Sequence, residues 1–185
     1  MLKIVVPARQ IREDFDEAKG EFIPVMTKEQ TLQLEHSLVS VSKWEAKWCK
    51  PFLPKGNQTT EEFIDYVRCM TLTQNVNPDV YKALTPQLLA EVSAYIDAPM
   101  TATTFPKRGN RAPRREYITS EIIYYWMASY QIPFECQKWH LNRLLTLINV
   151  FNVKNAPQKK MSRQEIMARN RALNAANKKK WNTKG

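Results

Sequence analysis

Apolar residues recur along this chain first at the two-residue spacing of strands and later at the three-to-four spacing of helices. Residues 2–6, LKIVV, read as a strand that Pro7 limits, and residues 22–25, FIPV, as a second short one. Leu32, Leu34, Leu38, Val39 and Val41 partly alternate, which predicts a strand over residues 31–42. From Ser42 a short helix follows, with Trp44 and Trp48 four apart on one face, until Pro51 and Pro54 end it in a turn. Beyond the turn the pattern is helical. Thr59 and Glu62 form a capping box ahead of a face made by Phe63, Val67 and Met70. Thr85 followed by Pro86 opens a helix with a stripe of Leu88, Leu89, Val92, Tyr95 and Ile96, which Pro99 stops.

Residues 99–117 are rich in proline and basic residues and read as a long loop, a length often tied to function. Thr119 or Ser120 caps the next helix, EIIYYWMASYQI, which Pro133 closes. It is apolar on nearly every side, so it is either a central core helix or one that buries a face against a partner. A second long helix, ECQKWHLNRLLTLINVF, follows after PFE, which predicts an αα-hairpin. Residues 152–161 read as a linker, and Ser162 with Glu165 forms a second capping box opening a helix at Arg163. The expected fold class is mainly α: a helical domain with a small N-terminal β element and a C-terminal basic helix. Its parts are a β-containing segment packed on the helical body (1–58), a helical core with the basic loop 99–117 (59–153), and a basic linker with the last helix (154–185).

Charge refines this division. The 185 residues carry a net +10, but residues 154–185 hold ten Lys/Arg against Glu165 alone, so the tail supplies +9 of it. Within the near-neutral remainder, KRGNRAPRR places Lys107, Arg108, Arg111, Arg114 and Arg115 together with no acid. These five, with Lys178, Lys179 and Lys180, are the candidate contacts to an anionic partner such as nucleic acid. No apolar run approaches the roughly 20 residues of a membrane-spanning helix, so no membrane partner is expected. The N-terminus lacks the pattern of a secretory signal, and a reduced setting is expected for Cys49, Cys69 and Cys136.

Chemistry is thin. His36 and His140 are the only histidines, and Cys136 with His140 at helical spacing gives two metal donors where a site needs more. A Cys/His nucleophile pair has no evident orienting acid. Glu61 and Glu62 sit in a first helical turn, where acids offset the helix dipole. The YYWM cluster suits core packing more than base stacking. No catalytic residue, metal or cofactor is expected, and the protein reads as a non-enzyme. In the tail, Ile166 and Leu173 lie seven apart on one face with Arg169 beside them. That stripe is worth about 3–5 kcal/mol if fully buried. The helix is marginal alone, and a docking role explains the stripe better than a plain polycationic arm does.

Six blocks in order, TLQLEHSLVSVSKWEAKW, EEFIDYVRCMTL, APMTATTF, ITSEIIYYWM, KWHLNRLLTLI and KKMSRQEIMARNRALNA, resemble a group of small tailed-bacteriophage proteins encoded in the tail region. The group is that of the tail assembly chaperones, and the resemblance runs from about Thr31 to the C-terminus. It implies a non-enzymatic assembly factor that covers apolar surfaces of tape-measure or tail-tube subunits, in the host cytoplasm, until the tail polymerises. The implied contact surface is a groove flanked by Trp44, Trp48, Tyr124, Trp126 and Trp139, together with Ile166, Arg169 and Leu173 of the last helix. The alternative is a virion component, such as a connector or completion protein, whose basic surfaces touch DNA or acidic subunits.

Overall fold

The computed structural model describes residues 1–17, 20–53, 56, 58–105, 117–156 and 162–181. It divides into two compact units, Met1–Phe151 and Asn152–Gly185. The fold is mainly α with a small β element at the N-terminus.

In the first unit, β1 (Leu2–Val6) pairs antiparallel with β4 (Gln30–Leu34), in the register Leu2↔Leu34, Ile4↔Leu32 and Val6↔Gln30. Strand alternation sends Ile4, Val6, Leu32 and Leu34 into the core, none more than 2% exposed, while Lys3, Val5, Thr31 and Gln33 face outward. Between these partners the chain makes a separate hairpin, β2 (Gln10–Asp16) with β3 (Glu21–Met26), with a register shift between Gln10 and Arg12. Its stem is clasped where Thr27 N–H donates to Arg9 O (2.8 Å) and Arg9 N–H donates to Thr27 Oγ1 (3.1 Å). Gly20 takes a φ of +66° and donates to Asp16 O, which closes the turn in a conformation that a side chain disfavours.

Helix α1 (Leu38–Trp48) begins four residues after β4, so the strand expected over residues 31–42 is only half right. Ser37 decides the matter: its hydroxyl accepts from Ser40 N–H as an N-cap, and Leu38, Val41 and Trp44 then fall on one buried face. Helix α2 (Thr60–Met70) starts at the Thr59/Glu62 capping box, with both reciprocal bonds made. Its end runs alongside β4, where Leu72 N–H donates to Gln33 O and Glu35 N–H to Met70 O. A 3-10 segment, Pro78–Ala83, leads to α3 (Pro86–Asp97), capped by Thr85 with Pro86 in the first turn.

Helix α4 (Ser120–Ser129) packs on α1 and buries Ser120, Ile123 and Met127, leaving Tyr125 68% exposed. It is therefore one-faced despite its apolar composition. Thr119 is its N-cap position, without a side-chain capping bond. The expected αα-hairpin joined only by PFE gives way to a 3-10 segment, Phe134–Lys138, before α5 (Leu141–Asn155). The cause is long-range: Leu141 N–H donates to His36 O at 2.7 Å, which ties this part of the chain to the end of β4 and stops a helix from starting at Glu135. The rings of Tyr130 and Phe151 stack at 5.3 Å between the ends of α4 and α5.

In the second unit, α5 continues to Asn155, so the first residues of the expected linker are helical. Helix α6 (Arg163–Trp181) follows. The remaining linker residues 157–161 and the basic run 107–115 lie outside the described residues.

Candidate functional site

Helix α6 is built locally. Ser162 N–H donates to Glu165 Oε2 (2.8 Å) and Glu165 N–H donates to Ser162 Oγ (3.2 Å), closing the second capping box. These bonds from Ser162 hold the Glu165 carboxyl below its ordinary range. The alanines favour the helix, and Lys178, Lys179 and Lys180 sit in its last turn, where cations suit the helix dipole. No residue of α6 is buried. Ile166 (46%), Leu173 (51%) and Trp181 (70%) are all exposed, with Arg169 close to their stripe. The three predicted contact residues of the tail are therefore solvent-facing on one helix.

Of the five aromatic residues expected to flank a groove, one is enclosed and four are half-buried. Trp44 is 1% exposed, and its indole N–H donates to Glu62 O at 2.9 Å. It is a core residue packed edge-on against Phe52, and its place in a contact surface is corrected accordingly. Trp48, one turn later, lies half-buried at the seam of α1 and α2, where its N–H donates to Asp65 Oδ2 (2.9 Å). Lys47 and Lys50 stand 5.4 and 5.9 Å from its ring centre. Tyr124 is half-buried and donates to Gln137 Oε1, while Trp126 is half-buried against the core. Trp139 is half-buried with the Arg143 guanidinium 4.3 Å from its ring centre.

A feature that sequence reading missed adjoins Trp139. Met100, Thr101, Thr103, Trp139, Arg143 and Val150 line a cleft of about 500 Å³. Met100 has a φ of 48°, an uncommon backbone turn for a side-chain-bearing residue, and no periodicity announces it. The block APMTATTF was the one available signal. The cleft offers an aromatic plane beside an exposed guanidinium, a pairing that takes an apolar group next to a carboxylate or phosphate.

The polar residues with catalytic potential turn inward. His36 is fully buried, with Nδ1 2.5 Å from Tyr66 Oη, and its ring lies 5.1 Å from that of His140. Burial pushes the Tyr66 hydroxyl well up. Asn142 N–H donates to His140 Nδ1, which leaves Nε2 of that ring as the donor to Tyr95 O at 3.1 Å. Tyr95 in turn donates to Glu35 Oε1, and burial and that bond raise its pKa. This network joins β4, α2, α3 and the start of α5. Cys136 and His140 do not share a helix face: one lies in the 3-10 segment and the other just before α5. Among the described residues no group of three or more His, Cys, Asp or Glu is arranged to hold a metal ion. Nor is any helix among them long and apolar enough to cross a membrane.

Lys178, Lys179 and Lys180 are exposed on α6, whereas Lys107, Arg108, Arg111, Arg114 and Arg115 lie outside the described residues. Compared with protein-family models, with curated proteins and with solved structures, the chain matches none.

Proposed function

We propose that this protein is a non-enzymatic assembly factor of bacteriophage tails, a chaperone of tape-measure or tail-tube subunits. The observation that carries the reading is α6, a capped nineteen-residue helix with an apolar stripe and no buried residue. A helix without tertiary support is marginal in water, so a partner that buries Ile166, Leu173 and Trp181 completes it. Its six Lys/Arg favour an acidic partner segment. The Trp139/Arg143 cleft supplies a second contact of the same character. The resemblance of six sequence blocks to the tail assembly chaperones supplies the biological setting, in the host cytoplasm during assembly.

Mass spectrometry of purified virions tests this directly. The protein is expected to be absent from mature particles and to co-purify with tape-measure or tube protein from infected cells. Its presence at fixed stoichiometry in the virion would instead favour a structural component whose basic surfaces touch DNA or acidic subunits.

A further inference from the structure

The β2–β3 hairpin carries an apolar face that its own unit leaves uncovered. Phe15 and Phe22 are cross-strand partners with ring centres 5.1 Å apart, and strand alternation puts Pro24 and Met26 on the same side. Phe15 is 54%, Phe22 67% and Met26 58% exposed. Packing of the hairpin on the rest of the unit is confined largely to the 3-10 segment Pro78–Ala83. The hairpin is also acidic: residues 10–26 hold five Asp/Glu against Arg12 and Lys19.

Helix α6 is its complement in both respects, basic where the hairpin is acidic and equally uncovered. The lengths agree too. Ile166 and Leu173 are separated by about 10 Å along a helix axis, and Phe22 and Met26 by about 13 Å along a strand. Arg169 and Lys180 border the α6 stripe by helical spacing, and Glu13 lies on the hairpin's apolar face beside Phe15. Two complementary surfaces carried on one chain make a head-to-tail contact between copies available.

We infer that α6 of one copy docks on the β2–β3 hairpin of a second copy, so that the protein self-associates head to tail. This rests on α6 as a docking helix and names one partner for it; it does not depend on the phage assignment.

Sedimentation velocity on the full chain tests the inference, from about 1 to about 100 µM protein. The expected result is concentration-dependent association at low salt that weakens at least about tenfold near 1 M salt. Phe15→Ser/Phe22→Ser on the hairpin and Leu173→Asp on α6 each weaken association by at least about tenfold. All three positions are exposed, so the fold is retained, which circular dichroism checks. Should the hairpin variant lose its structure, Glu13→Lys replaces it and keeps the aromatic face. The deciding arm mixes the hairpin variant with the α6 variant. Each retains one intact half, so the mixture regains a dimer that neither forms alone and that cannot extend further. A wild-type chain that stays monomeric at low salt, variants that associate as the wild type does, or a mixture that stays monomeric would each overturn the inference. The purified protein alone suffices, so a failure here leaves the virion result untouched, and the reverse also holds.

Discussion

Glu45 on α1 accepts a 2.7 Å hydrogen bond from the backbone N–H of Ser120, the first residue of α4, seventy-five positions away. Its other carboxyl oxygen accepts from Phe52 N–H at 2.8 Å. One side chain thereby satisfies a free helix-end donor and pins the turn after α1, in a site where Glu45 is only 7% exposed. Replacing it leaves two buried N–H groups without an acceptor. Glu45→Ala is expected to lower stability by about 2–4 kcal/mol in urea unfolding, and Glu45→Gln, which keeps one acceptor oxygen, by about half as much.

The two tryptophans of α1 separate core from surface. Trp44→Ala empties a fully enclosed site and is expected to cost about 3–5 kcal/mol. Trp44→Phe keeps a ring but loses the indole's bond to Glu62 O, a carbonyl that α2 already engages, at about 1 kcal/mol for that bond. Trp48→Ala, at a half-buried seam, is expected to cost less than Trp44→Ala. Equal losses at Trp44 and Trp48 in the same denaturation series would contradict their placement.

Acid sensitivity should concentrate at the α1–α2 seam. The hydrogen bond from Lys50 and the Thr59 N–H lower the Glu62 pKa. Burial pushes Asp65 up, but the bonds from Lys47 and Trp48 outweigh it and the net shift is downward. A carboxyl with a depressed folded pKa stabilises the fold above its unfolded value, near 4 for both residue types, and that contribution disappears as pH falls through the folded value. Melting temperature is therefore expected to be flat on this account near neutral pH and to drop below about pH 4. Lys50→Met and Lys47→Met should lower the neutral-pH melting temperature and flatten the acid limb, because losing the bond returns each folded pKa toward its unfolded value. An unchanged acid limb in both variants would contradict the assignment.

Removing the tail should leave the first unit intact. Since α6 buries no residue, a chain ending at Ala156 is expected to melt within about 2 °C of the full chain at high salt and low concentration. Amide exchange gives the complementary readout, with α6 exchanging early and the α1 amides late. In the full chain Ser162→Ala should lower α6 helicity, because it removes one arm of the capping box.

Local signals were the legible ones. Thr59/Glu62, Ser162/Glu165 and Thr85 with Pro86 mark helix starts because the partners lie within one turn, and each stands where the spacing put it. Strand β2 escaped because QIREDFD has only Ile11 and Phe15 as apolar residues, and its pairing with β3 holds it extended. Helix α1 was blurred with the preceding strand, since β-branched residues suit both periods and only the Ser37 cap decides. The connection from α4 to α5 depends on the bond from Leu141 to His36, which no window of sequence contains. For the candidate site, the narrow stripe of Ile166 and Leu173 on a polar helix was legible, whereas neither its exposure nor the burial of Trp44 was. Four residues separate Trp44 from Trp48, yet α2 covers the first with Glu62 and leaves the second at the rim.

The clasp between Arg9 and Thr27 has a consequence for inheritance. Because β1 and β4 pair with each other directly, the hairpin between them is a detour whose two ends already meet, and it meets the core through Ile11 near its stem rather than through its tip. Its tip is thus free to drift, lengthen or be exchanged from one lineage to another while Ile4, Val6, Leu32 and Leu34 stay fixed. A tip that changes at little cost to folding is well placed to track a changing partner.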